Sequence, residues 1–74
     1  MPKQNEWEQQ AANLLKSELK RKGVTYAQLV ENLAAIGISE KEANVANKLS
    51  RGKFSAAFML ACLKAIGAQQ LQLD

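Results

Sequence analysis

The sequence predicts a single all-α domain built from four helices. Apolar residues recur at intervals of three and four along four stretches of the chain, which is the period of a helix with one buried face. A residue suited to capping a helix precedes each stretch, and a glycine suited to ending one follows it. Agreement among period, cap and stop strengthens a helix prediction. The 74 residues leave room for one small domain, spanning residues 1–74.

The first predicted helix follows Asn5, whose side chain can cap it together with Glu8 three residues later. Residues 1–4 ahead of this cap are expected to form a flexible tail. The apolar residues on or near one face are expected to enter the core: Trp7, Ala11, Leu14, Leu15 and Leu19. Cations fill the last turn, as the helix dipole favours, and Gly23 then ends the helix.

The second predicted helix begins after Thr25, and Gln28 completes a capping box with that threonine. Its expected buried face consists of small and branched apolar residues: Ala27, Leu29, Val30, Leu33 and Ala34. Gly37 is expected to end this helix by adopting the left-handed backbone conformation.

The third predicted helix, residues 39–51, is polar and ends in the basic turn Arg51-Gly52-Lys53. Ser39 is expected to cap it, with Glu42 as the capping-box partner. A narrow apolar seam is predicted from Ala43, Ala46 and Leu49. The remaining faces carry Lys41, Asn44, Val45, Asn47, Lys48 and Arg51. Such a helix is commonly a solvated surface helix, and the alternative is a helix that is presented to a partner.

The fourth predicted helix begins after Ser55 and is the most apolar of the four, so we expect it to be the central core element. Its apolar residues are Phe58, Met59, Cys62, Leu63 and Ile66. Of these, Met59, Leu63 and Ile66 are expected to be buried against the leucines of the other helices. Gly67 is expected to end the helix.

Residues 69–74 alternate between polar residues and the leucines Leu71 and Leu73, which predicts a short extended segment. Two interpretations stay open. The segment is either a tail that packs its leucines on the helices or a strand that pairs with the same segment of a second copy. The second interpretation predicts a homodimer, from which a domain with a thin core would gain stability.

The composition argues against catalysis and against metal binding. One cysteine and no histidine allow neither a disulfide within the chain nor a Cys/His zinc site. Cys62 lies in an apolar run, so we expect a buried structural thiol and not a nucleophile. The carboxylates show no paired arrangement for acid–base work. We therefore expect no enzyme activity, no cofactor and no small-molecule ligand.

The chain is expected to reside in the cytoplasm with no membrane partner. Its apolar runs are too short to cross a bilayer, and its first residues lack the apolar core of a signal peptide. A single thiol fits a reducing compartment. The net charge of +3 permits a nucleic-acid partner.

The helix and turn signals follow one another along the chain in a specific order. The run Leu19–Val30 reads LKRKGVTYAQLV, and it is followed by the polar helix, by RGKFS and by an apolar helix that ends in AIG. This order, over residues 14–68, resembles the Cro and phage-repressor type of helix-turn-helix, the Xre-like regulators. The text GVTYA and RGKFSAAF is also similar to a family of short bacterial proteins of unassigned function. The resemblance implies a four-helix, lambda-repressor-like fold and a small bacterial regulator that binds double-stranded DNA.

The resemblance also implies which residues would contact DNA. Those on the groove-facing side of the recognition helix, where base contacts are made, are Asn44, Asn47 and Lys48. Those at positions that contact the DNA backbone are Tyr26, Arg51 and Lys53. Amide side chains suit adenine and a lysine suits guanine, while cations suit phosphate.

Two features depart from that family. Leu19 and Ser50 stand where many relatives have a buried Arg–Glu pair, so apolar packing is expected to replace it. The segment from Leu29 to Gly52 is longer than usual in that family by roughly six residues. The short turn of the standard motif does not need this extra length. Either both helices gained about a turn or the turn was rebuilt. The alternative function is therefore a protein–protein interaction module that reuses the fold.

Overall fold

Four α-helices and their connections make up residues 6–71, the part of the chain that the computed structural model describes. The helices are α1 (Glu6–Lys22), α2 (Tyr26–Ala35), α3 (Glu42–Arg51) and α4 (Ala56–Ala65). Residues 6–71 contain no strand, so the predicted all-α class is confirmed. The cap predicted at Asn5, the tail predicted for residues 1–4 and the alternating Leu73 lie outside the described residues.

The helices pack in a ring in the order α1, α3, α2, α4, so that each helix lies between two others. Helices α2 and α3 follow one another in the chain and also pack together, whereas α1 does not pack closely against α2, and α3 does not pack closely against α4. Each helix or its C-terminal cap contributes two residues, four apart, to one buried cluster: Leu15 and Leu19, Leu29 and Leu33, Val45 and Leu49, and Cys62 and Ile66. A spacing of four puts both members of each pair on one helix face, so the core lies inside the ring.

Helix α1 buries its middle and leaves its first turn in water. Leu15 and Leu19 are buried, as predicted, and Leu14 is half-buried. Trp7 was expected in the core, and this is wrong because its side chain is 72% exposed. Eight residues separate Trp7 from Leu15, which turns it by about 80° from the buried stripe, at 3.6 residues per turn.

Helix α2 begins as predicted. The Gln28 amide donates to Thr25 Oγ1 at 3.1 Å, and the Thr25 amide donates to Gln28 Oε1 at 2.9 Å, which completes the capping box. Leu29 and Leu33 are buried, and Val30 is half-buried. Ala27 and Ala34 were expected on the buried face, but both are exposed because the narrow buried stripe of this helix is taken up by the two leucines.

Helix α3 differs most from its prediction. It begins at Glu42 with Lys41 as the N-cap, and no side chain caps it, so the predicted cap at Ser39 is wrong. Residues 38–41 instead run into the helix as a connection. The buried stripe consists of Val45 and Leu49.

The predicted seam of α3 is therefore partly wrong. Val45 had been placed on an outer face, but it is fully buried. Ala43 is exposed and Ala46 is half-buried. A branched side chain at Val45 fills more of the space between α1, α2 and α3 than an alanine can, so it takes the inner position.

Helix α4 is capped as predicted, because the Phe58 amide donates to Ser55 Oγ at 3.0 Å. It is not the central core element that its composition predicted. Within the helix only Cys62 is fully buried, while Met59 and Leu63 are half-buried and Leu60 is 67% exposed. The ring arrangement explains this, since each helix offers only one face to the core.

All four predicted glycine stops adopt the left-handed conformation, with φ between 69° and 89°. Gly52 is the one that matters for the site, because it ends α3 and is itself buried. Of the two residues at which the resemblance places a buried Arg–Glu pair, Leu19 lies in the core and Ser50 is exposed. Residues 68–71 are neither helix nor strand, and Leu71 is half-buried.

Candidate nucleic-acid interface

The outer face of α3 is polar and accessible. Asn44, Asn47 and Arg51 are all exposed, and their spacings of three and four residues place them on one side of the helix. The opposite side holds Val45 and Leu49 in the core. The helix is thus fixed from within and presents two amide groups and a guanidinium outward.

Lys48 lies between these two faces and is bound within the protein. Its Nζ atom lies 2.8 Å from Glu40 Oε2 and 4.4 Å from the centroid of the Phe58 ring. The Lys48 side chain is 36% exposed and that of Glu40 only 15%. The ammonium group therefore has both a carboxylate and an aromatic face as partners.

A second ring extends this group of contacts. The rings of Phe54 and Phe58 lie 5.7 Å apart at an angle of 54°, which is a favourable tilted arrangement. We call Glu40, Lys48, Phe54 and Phe58 the Lys48 cluster. It joins the connection before α3, α3 itself, the loop after α3 and the first turns of α4.

Cys62 lies in the core close to this cluster. Burial is the main cause that raises the pKa of the Cys62 thiol to about 11. The Glu40 carboxylate also raises this pKa, and the Lys48 ammonium lowers it. The thiol is buried and protonated at neutral pH, so its predicted burial is confirmed. Such a thiol is a poor nucleophile, because the thiolate is the reactive form.

The basic turn follows α3 directly. The Gly52 amide donates to the Lys48 carbonyl at 2.9 Å, and a φ of 71° at this glycine reverses the chain. Arg51 and Lys53 on either side of it are exposed. The turn therefore places two cations at the C-terminal end of the outer face.

Tyr26 occupies a different position, at the start of α2. It is half-buried and lines an open hollow of about 380 Å³ together with Lys16, Lys20 and Thr25. The first turn of α2 carries no acidic residue. The sequence reasoning missed Lys16 and Lys20, although two exposed lysines one turn apart on α1 were a signal that could have been found.

The connection between α2 and α3 accounts for part of the length of the segment between Leu29 and Gly52. Helices α2 and α3 have ten residues each. Since α2 ends at Ala35 and α3 begins at Glu42, six residues, 36–41, join them. This connection is two or three residues longer than the three or four residues of a standard helix-turn-helix.

Among residues 6–71 no group of acidic, cysteine or histidine side chains is arranged to hold a metal ion. Each helix in this range is also too short or too polar to cross a lipid bilayer. The predicted base contacts Asn44 and Asn47 share one accessible face with Arg51, whereas the Lys48 ammonium faces Glu40.

Comparison with known protein families gives a match over most of the chain. The model of a family described as a domain of unknown function (DUF6471) matches residues 7–71. No curated protein and no solved structure matches the chain.

Proposed function

Since the chain belongs to the DUF6471 family, whose description assigns no activity, we propose a function from the surface of the protein itself. The proposed function is sequence-specific binding of double-stranded DNA by the outer face of α3, in a small transcriptional regulator. The observation that carries it is one exposed face with two asparagines and an arginine, ending in a cationic turn.

The amide groups of Asn44 and Asn47 supply the base contacts in this proposal. An asparagine can donate to and accept from the major-groove edge of adenine at the same time. Both side chains are exposed on a helix whose opposite face is fully buried. An α-helix such as α3 is about 10–12 Å in diameter with its side chains, which matches a major groove about 12 Å wide.

Cations near this face supply the backbone contacts. Arg51 and Lys53 lie at the end of α3, where the chain turns at Gly52. Tyr26 lies at the start of α2 beside Lys16 and Lys20, where the positive end of the helix dipole attracts phosphate. Contacts of this type position a protein on DNA and carry no sequence information.

A homodimer that binds two half-sites is the assembly that we propose for this function. Its motivation is the thin core and the alternation of Leu71 and Leu73. Deleting residues 69–74 should convert the dimer into a monomer of lower stability. Sedimentation of the full chain and of the shortened chain measures this, and a full chain that stays monomeric at high concentration contradicts the dimer.

A protein–protein interaction module is the second candidate. The observation that favours it lies on the outer face of α4, where the apolar residues Ala56, Ala57 and Leu60 are exposed ahead of the exposed Lys64. The six-residue connection also departs from the motif that binds DNA. In either case we propose a cytoplasmic binding protein without cofactor or catalytic activity.

Salt dependence separates the two candidates. Wild-type protein is first used to select preferred duplexes from a random pool, and its affinity for preferred and random duplexes is then titrated at several salt concentrations. For DNA binding, the logarithm of the affinity should fall linearly with the logarithm of salt, with a slope of about 0.9 per phosphate contacted. If no sequence is enriched and random duplex binds without this slope, the interaction module is preferred.

A further inference from the structure

The Lys48 cluster joins parts of the chain that the backbone leaves apart. Glu40 belongs to the connection before α3, Lys48 to the second half of α3 and Phe58 to the first turn of α4. Both helices are fully described, and no Cα atom of α3 comes within 8 Å of one in α4. Long side chains, and not close backbone packing, therefore link the two helices at this edge.

Lys48 also differs from the other cations at this end of the molecule. Arg51 and Lys53 are exposed, whereas only 36% of the Lys48 side chain is exposed. The Lys48 ammonium lies 2.8 Å from the Glu40 carboxylate. Glu40 is 15% exposed, so its charge is compensated mainly by Lys48. Separating the two would leave a largely buried carboxylate without its cation.

We propose that Lys48 is a positioning residue and not a base-reading one: bridged to Glu40 and placed on the Phe58 ring, it sets the orientation of α3 so that Asn44 and Asn47 meet the bases. This inference rests on the proposed DNA-binding function. It changes the role that the resemblance implied for Lys48, while the roles of Asn44 and Asn47 stay as proposed.

The location of the cluster explains why it would control orientation. Val45 and Leu49 form the buried stripe that holds α3 in the core, and a single narrow stripe limits rotation of a helix about its own axis less than contacts at its side do. Lys48 lies beside that stripe, between the inner and outer faces, and its bonds to Glu40 and Phe58 oppose this rotation. Base contacts need such support, because a recognition group must be held to within about half an ångström.

The two roles of Lys48 predict opposite effects when Glu40 is neutralised. If Lys48 reads a base, it must leave Glu40 to do so, and Glu40→Gln should strengthen binding. If Lys48 positions α3, Glu40→Gln should weaken binding to the preferred duplex. The matched control is Glu42→Gln, which removes the same charge from an exposed residue two positions away and so shares any non-specific electrostatic gain.

We expect Glu40→Gln to bind the preferred duplex about three- to tenfold more weakly than Glu42→Gln, because the binding-competent orientation is less populated. Affinity for random duplex should be equal in the two variants. Lys48→Met, which keeps the length of the side chain, should reduce the preference at all base positions together. Stronger binding by Glu40→Gln than by Glu42→Gln, or loss of preference at a single base position in Lys48→Met, overturns the proposal.

A measurement without DNA distinguishes failure of this inference from failure of the proposed function. Residual dipolar couplings of backbone amides report the orientation of α3 relative to α2, including its rotation about its own axis. They should change in Glu40→Gln and in Lys48→Met and stay as in wild type in Glu42→Gln. If wild type enriches no duplex, the DNA-binding function fails, yet these couplings still decide whether the cluster orients α3. Unchanged couplings in both cluster variants overturn it.

Discussion

The burial of helices α3 and α4 is the reverse of what their compositions predict. The polar helix α3 buries Val45 and Leu49 completely, whereas the apolar helix α4 buries only Cys62 within its length. Outward, α3 presents amides and a guanidinium, and α4 presents alanines and Leu60. In a ring of four helices each member has one inner face, so burial depends on which residues occupy that face and not on how apolar the helix is.

The largest expected effect follows from this difference in burial. Leu49→Ala in α3 should lower the free energy of unfolding by about 2–5 kcal/mol, because it opens a cavity in the shared core. Leu60→Ala in α4 should change it by less than about 0.5 kcal/mol, since its side chain is 67% exposed. Chemical denaturation of the two variants measures both. Equal losses would mean that α4 is the central element after all.

The sequence predicted what depends on local chemistry. The caps at Thr25 and Ser55 need only an amide three residues away, and the glycine stops need only a backbone that accepts positive φ. The prediction was wrong where packing against another helix determines which residue is buried. Val45 and Ala43 exchange roles because α1 and α2 pack on the side of Val45, and this cannot be read from the α3 sequence alone.

The candidate site also has features that were predictable from local sequence and features that were not. Exposure of Asn44, Asn47 and Arg51 follows from the helical period and was predictable. The partners of Lys48 were not, because Glu40 lies eight residues earlier in a connection and Phe58 lies in the next helix. Helical spacing places Lys48 near Asn44 and Arg51, but it does not show that a carboxylate outside the helix binds the ammonium group.

The second prediction tests the outer face of α3 against a polar residue elsewhere. Asn44→Ala should weaken binding to the preferred duplex by about 1–3 kcal/mol and leave binding to random duplex unchanged, because the amide contacts a base. The matched control is Asn13→Ala, which removes an exposed amide from α1. Titrations of both variants measure the effect. Equal behaviour of the two would remove Asn44 from the interface.

The third prediction concerns the turn after α3. Neutralising Arg51 or Lys53 should weaken binding to all duplexes alike and lower the slope of affinity against salt by about one for each residue. Lys64→Ala is the control, because it removes an exposed cation from the outer face of α4. Affinities at a series of salt concentrations give the slopes. A slope that falls equally in Lys64→Ala would indicate a general charge effect and no defined phosphate contact.

The last prediction concerns Cys62, the buried residue of α4. Its pKa is raised from 9.0 to about 11 in the folded protein, chiefly by burial. A raised pKa means that the folded state holds the proton more tightly than the unfolded state. The stability that this provides is fully present below pH 9.0 and is lost as the pH rises through about 11.

Other groups also titrate between pH 9 and 11, so the test compares wild type with a variant that lacks the thiol. Cys62→Val keeps an apolar side chain in the core and removes the titrating thiol. Between pH 9 and 11 the free energy of unfolding should therefore fall more steeply in wild type than in Cys62→Val. Urea denaturation at several pH values measures both slopes. Parallel slopes would show that the thiol titrates alike in both states, and α4 would then be no better shielded from water at Cys62 than on its outer face.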